Sequence, residues 1–285
     1  MASAKEIRGQ IKATQNTSKI TKAMEMVAAS KMRKAQDAVA NSRAYADGIN
    51  TVIANLMQAH PEYKHVFLQP RDEVKRVAYI VISSDKGLCG GLNTNLFKET
   101  LVSIKAVQEN AEVEVLTIGR RAGLFMKRIA PLVASAEDIS DSPHFSEIVG
   151  VVDLAIQKFV DGEYDEVRLV FNTFVNTMTQ KPTEVKLLPC PEPEAKDRQG
   201  YWDYLYEPDS KMVLDGLLTR YIEAIVYQAV LDNKACEQSA RMVAMKSATD
   251  NAKEIISDLQ ITYNKARQAA ITQELAEISA GAAAA

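Results

Sequence analysis

All nine prolines of this 285-residue chain fall between Pro61 and Pro208. The first 60 residues contain none, and neither do the last 77. Proline inside a helix removes a hydrogen bond and clashes with the preceding turn, at a cost of about 3 kcal/mol. Helices much longer than average must exclude it, so the chain reads as three parts. Residues 1–60 form a helical arm, 61–208 a middle domain, and 209–285 a longer helical arm.

Both arms carry a seam with alternating four- and three-residue spacing. In the first it runs Ile7, Ile11, Thr14, Ser18, Thr21, Glu25, Ala28, Met32, Ala35 and on to Ile49, Ile53 and Leu56. In the last it runs from Leu214 through Leu231, Ala235, Met245, Thr249, Ala252 and Ala266 to Gln273, Glu277 and Ala280. A sustained 3.5-residue period over so many turns predicts coiled coil. Ala, Ser, Thr and Gln dominate the seam, which allows close approach but gives weak adhesion. At 1.5 Å per residue the arms would span roughly 80 Å and 110 Å. Helices of that length cannot be buried in a 31.4 kDa globule. They are expected to pair with each other, with the excess length meeting a partner or solvent.

The middle alternates between strand and helix signals. Strands are expected at 74–84, 112–118, 132–135, 167–175 and 183–188, and helices at 92–109, 120–129 and 146–160. That order predicts an α/β layer with a largely parallel sheet whose final strand runs antiparallel. The fold class is therefore α/β plus a long two-helix coiled coil.

Catalytic chemistry is hard to find. The loop SSDKGLCGGLN (residues 83–93) lies where a strand hands over to a helix, the place a phosphate cradle would occupy. It has neither GxxxxGK[ST] nor GxGxxG spacing, so it reads as a tight structural turn. Asp85 resembles an acid that follows an apolar strand in nucleotide sites, but no partner motif precedes it. His60, His65 and His144 lack metal-ligand spacing. Cys89, Cys190 and Cys236 form no CxxC and read as reduced thiols. No metal or cofactor is implied. No apolar run reaches the ~18 residues of a membrane span.

Charge is unevenly spread. Residues 1–58 hold nine basic and four acidic side chains, whereas 59–208 hold 17 against 23. Lys19, Lys22, Lys31, Arg33, Lys34 and Arg43 lie around the first seam, as a solvated face or one that docks on an acidic protein surface. The aromatics that single-stranded nucleic acid would need are missing among them, so no nucleic-acid partner is expected.

Residues 5–36 (KEIRGQIKATQNTSKITKAMEMVAASKMRKAQ) resemble the first helix of the gamma subunit of bacterial F-type ATP synthases. SSDKGLCGGLN is similar to that family's central loop, with Lys86 where Arg is more usual. WDYLYEPD (residues 202–209) resembles the segment before its last helix, and YNKARQAAITQELAEISAGAA (263–283) its C-terminal signature. The redox insertion of the plant form has no counterpart here.

The resemblance implies a non-catalytic central rotor shaft with no cofactor of its own, its two terminal arms paired as an antiparallel coiled coil around a central Rossmann-like α/β domain. Its partners would be the alpha and beta subunits in a 3:3:1 assembly, the epsilon subunit and the c-ring. Peripheral attachment at the cytoplasmic face of the bacterial inner membrane, through the complex, would follow. By position, Lys19, Lys22, Met24, Arg241, Arg267, Gln268, Thr272 and Glu274 match contacts to beta, and Tyr204 and Glu207 match the foot on the c-ring and epsilon. A stand-alone coiled-coil scaffold is the rival reading, though it has no need of an α/β domain.

Overall fold

A computed structural model describes residues 4–59, 65–71, 73–190 and 210–284. They form two compact units, Met1–Ala28 with Arg241–Ala285 and Ala29–Ala240. Two helices run through both, α1 (Ala4–Ala59) and, at the other end of the chain, α5 (Ser210–Ala284).

Between them, in Ala29–Ala240, lie β1 (Arg76–Ile82), α2 (Leu92–Gln108), β2 (Glu112–Ile118), α3 (Arg120–Met126), β3 (Leu132–Ala136), α4 (Val149–Val160), β4 (Glu166–Phe174) and β5 (Gln180–Leu188). The sheet order is β3-β2-β1-β4-β5, parallel except for β5, which pairs antiparallel with β4. The β4–β5 hairpin closes on Asn176, whose side-chain oxygen accepts from the backbone N–H groups of Met178 and Thr179 at 2.9 and 2.8 Å. Pairing therefore reaches back to Gln180, three residues before the sequence signal begins. Pro182, which has no N–H to give, is tolerated because β5 is an edge strand. At the other boundary α3 stops at Met126, short of 129, because Pro131 follows and turns replace the last helical bonds.

Strand β1 shows why the apolar run at its centre is continuous. Ala78, Ile80 and Ile82 point to one core, and Val77, Tyr79 and Val81 to the other. The first core is closed by α4 and by Leu218, Ile222, Val226 and Ala229 of α5, with Ile49 and Ile53 of α1. The second is closed by α2 and α3. Half of each long helix is thus a wall of the α/β core rather than a free arm.

Opposite chain directions in the helix pair are fixed at two places within this unit. Tyr45 and Arg220 line one groove. Lys31 and Gln238 both reach Asp141, at 2.7 and 3.5 Å. The Lys31 ammonium holds the Asp141 carboxyl below its ordinary range. In the other unit Ile7, Thr21 and Ala28 bury against a seam containing Met245, Thr249 and Ala252, and the Thr21 and Thr249 hydroxyls hydrogen-bond at 2.7 Å. These are the positions the 3.5-residue period selects.

Within Ala29–Ala240, Asp232 is a buried polar residue next to Leu231 of the predicted seam, 5% exposed, with one carboxyl oxygen lacking a hydrogen-bond partner. Burial pushes its carboxyl up, and the Arg43 guanidinium only partly opposes this. Its folded pKa then exceeds the unfolded value, so the folded state gains stability as pH falls toward the unfolded value. Asp232→Asn should raise Tm by several degrees near pH 7, through about 1 kcal/mol or more of removed desolvation. That advantage should shrink as pH drops through the carboxylate range in calorimetric scans.

Candidate functional site

In an open α/β sheet, ligands bind beyond the carboxyl ends of the strands where the strand order reverses. Here that point lies between β1 and β4, since the chain runs outward from β1 to β3 and then returns to β4. The loop at 83–93 sits at this end and is held from within. Ser84 Oγ donates to Lys86 O at 2.8 Å, and Asn93 Nδ2 donates to Ser84 Oγ at 2.7 Å. Asp85 accepts from the backbone N–H groups of Arg120, Asp138 and Ile139 at 2.9, 3.0 and 3.0 Å. Gly119 is required beside it: at φ 100° a Cβ would come 2.3 Å from Ser83 O.

The crevice is filled by α5. Asn172 Nδ2, on β4, donates to Asn233 Oδ1 at 2.9 Å, and Cys236 Sγ donates to Asn172 O at 3.3 Å. Ser239 Oγ donates to Thr177 O at 2.7 Å. Lys234 is 6% exposed, donates to Ile139 O at 3.0 Å, and lies 3.7 Å from Asp85 and 3.6 Å from Glu237. Cys236 also packs with Cys89 and Leu92 in an apolar cluster. Where a related architecture would hold a nucleotide, this chain holds its own helix. Asp85 therefore serves as a backbone cap and a partner for a buried lysine. Sequence reasoning missed that pairing, because Asp85 and Lys234 are far apart and neither belongs to a periodic pattern.

The thiols are equally unsuited to chemistry. All three cysteines are free and buried. Burial pushes Cys190 up to about 12 and Cys236 higher still, the nearby Asp232 adding to the latter. Such groups stay protonated and weakly nucleophilic. Among the described residues, no three His, Cys, Asp or Glu side chains are grouped to hold a metal ion. No described helix is long and apolar enough to cross a membrane.

The surface of the helix pair is more informative. In register with Thr21 opposite Thr249, Ala4 of α1 falls opposite Ala266 of α5. Ala266 is half-buried, and Arg267 to Ala280 are all exposed. The seam predicted to continue through Ala270, Gln273, Glu277 and Ala280 therefore has no partner among the described residues, since α1 is described from Ala4. On that overhang Ile271, Leu275 and Ile278 form an exposed apolar stripe at i, i+4, i+7. Arg267, Gln268, Thr272 and Glu274 are exposed around it.

A second exposed band lies on α1, where Lys19 and Lys22 flank Ile20, Met26 and Val27, the last three 60%, 59% and 53% exposed. Met24 is half-buried at its edge, and Lys22 pairs with Glu25 at 3.0 Å. Arg241 is half-buried on α5. The structure separates these residues into two bands, since Arg267 lies roughly 27 Å along α5 from Thr249 at 1.5 Å per residue. Tyr204 and Glu207 lie outside the described residues.

The ATP synthase family profile matches residues 3–285. Over 286 aligned positions, spanning the whole of both chains, the sequence is 54% identical to the ATP synthase gamma chains of Xanthomonas campestris and Stenotrophomonas maltophilia. The chain belongs to the ATP synthase gamma family. Among solved structures it is similar to a chain in the central stalk and c-ring of the Tetrahymena thermophila mitochondrial ATP synthase. The two are 27% identical with a TM-score of 0.60, over 80% of this chain and 99% of that one. A chain of the Euglena gracilis mitochondrial enzyme shares the fold at 19% identity and a TM-score of 0.68, over 99% of this chain and 94% of the other. For a gamma-family chain, an α/β crevice filled by its own helix and an exposed apolar stripe on α5 are coherent features.

Proposed function

We propose that the chain is the central rotor shaft of a proton-translocating F-type ATP synthase, coupling rotation of the c-ring to conformational change at catalytic sites on beta. The observation that carries this is the stripe of Ile271, Leu275 and Ile278 on an α5 overhang that no residue of α1 reaches. A contiguous exposed apolar stripe of this kind marks a surface that another chain covers. A sleeve of three alpha and three beta subunits supplies that cover. Residues 1–60 and 209–285 then act as the shaft and 61–208 as the body at the membrane end, where Tyr204 and Glu207 contact the c-ring and epsilon. The complex sits at the cytoplasmic face of the bacterial inner membrane, with this chain attached peripherally.

Lys19, Lys22 and Met24 face an acidic segment of beta in this reading, with Arg241 beside them, and Arg267, Gln268, Thr272 and Glu274 meet beta at the tip. The mixed basic and apolar character of the first band supports that match. Met24→Lys adds a cation at a partly desolvated contact, where an ion pair outweighs the ~0–1 kcal/mol of an exposed one. One rotary position is then held too tightly. ATP-driven proton pumping in vesicles should fall severalfold further than ATP hydrolysis by the same preparation, with assembly intact. Equal losses in both would remove Met24 from the interface.

A further inference from the structure

We propose that the groove between α2 and α3 is a docking site for an acidic amphipathic helix of a partner protein. Both helices pack on the same face of the sheet, and between them Phe97 and Phe125 stack with ring centroids 4.6 Å apart. They floor an open groove of about 740 Å³. Leu88 and Val102 stand on its walls at 63% and 62% exposure. Leu88 is held there in the left-handed region at φ 63°, a conformation unfavourable for a non-glycine residue.

Charge identifies the occupant. Lys98, Lys105 and Arg121 line the groove, and none is ion-paired among the described residues. On the same body Lys75, Arg120, Lys158 and Lys186 each pair with a carboxylate at 3.0 Å or closer. Residues 59–208 carry 23 acidic against 17 basic side chains, so three unpaired cations around one apolar floor run against the local excess. Lys98, Val102 and Lys105 follow i, i+4, i+7 spacing on the outer face of α2, which sets the two ammonium groups about two turns, roughly 10 Å, apart with an apolar residue between them. A complementary helix carries two carboxylates at that separation and an apolar stripe for Phe97, Phe125 and Val102. A small anionic ligand would leave Leu88 and Val102 in water, whereas a helix about 10 Å across covers both walls. The inference is independent of the rotor proposal.

The test titrates the full chain into a fluorescein-labelled helical peptide of about two heptads, with Leu along one stripe and a flanking Glu pair seven residues apart. Saturable binding in the micromolar range is expected by anisotropy. The double variant Lys98→Glu with Lys105→Glu, and separately Val102→Asp, should each weaken it at least tenfold, while Lys75→Glu should leave it unchanged. A peptide with Lys in place of the Glu pair should fail to bind. Circular dichroism melts matching wild type establish that the variants are folded; for any that is not, the milder Lys98→Gln with Lys105→Gln should still weaken binding severalfold. The proposal is overturned by an absence of saturable binding, or by binding that survives these substitutions. Displacement of the peptide by inorganic phosphate or anionic lipid vesicles at comparable concentration would make this an anion or membrane site instead. Self-association of the chain abolished by the same variants would assign the groove to a second copy and equally overturn it.

Discussion

Lys234→Met is expected to lower the melting temperature by about 10 °C. The Lys234 side chain is 7% exposed, between the Asp85 and Glu237 carboxylates, which are 9% and 5% exposed. Removing one partner of a buried pair typically costs about 3–5 kcal/mol, because the remaining charge is stranded in a medium that solvates it poorly. In a chain of this size each kcal/mol moves Tm by roughly 2–4 °C. Methionine keeps most of the volume, so the loss reports charge rather than a cavity. Adding Asp85→Asn should recover part of the loss by removing one stranded carboxylate, while the carboxamide oxygen left in its place still accepts from a backbone N–H. Hydrogen exchange should locate the effect, with faster exchange at residues 83–91 and 230–240 and little change in the Thr21–Thr249 seam. A Tm change below about 3 °C would show the lysine to be solvated in solution, and α5 to be held in the crevice by packing alone.

What could be read in advance depended on the kind of signal. The seam was legible because a helix pair repeats its contacts every few residues. Thr21, Ala28, Ala235, Thr249 and Ala252 are small or polar, yet spacing alone picks them out, and all are buried. Strand β1 was legible because a strand buried on both faces must be apolar at every position. The filling of the crevice was not legible. It rests on Asp85 with Lys234, Asn172 with Asn233, and Cys236 with the Asn172 carbonyl, single contacts between residues about sixty or more positions apart. Nothing periodic marks such pairs. The end of the seam was also invisible, since α5 carries the 3.5-residue pattern past Ala266 as though a partner continued. It does so because the pattern records what the helix packs against, and that partner need not be part of the same chain. Lys31 teaches the same lesson from the other side: it belongs to a basic run that suggested an external acidic surface, and it is spent on Asp141 of its own chain.

The largest functional effect is expected at the tip of α5. Replacing Arg267, Gln268 and Thr272 together with Ala should reduce ATP synthesis in vesicles about tenfold or more, while the assembled complex elutes normally on gel filtration. All three are exposed, and alanine has the highest helix propensity, so the helix should survive the change. Thr272 Oγ1 donates to Gln268 O at 2.9 Å within the helix. Its hydroxyl can therefore only accept from a partner, and removing it also frees a backbone carbonyl already satisfied by the helix. In the proposed contact, that leaves Arg267 and Gln268 as the donors to a loop of beta. A net hydrogen bond contributes roughly 0.5–1.5 kcal/mol, and about 1.5–3 where a charge takes part, so the set is worth at least a factor of ten. The neighbouring stripe of Ile271, Leu275 and Ile278 is untouched by these substitutions and, on the proposed reading, keeps the shaft seated. Loss of grip with retained seating predicts impaired torque transfer with normal assembly. Unchanged synthesis would show that the sleeve holds the tip through the apolar stripe alone, and a complex that failed to assemble would make these residues structural.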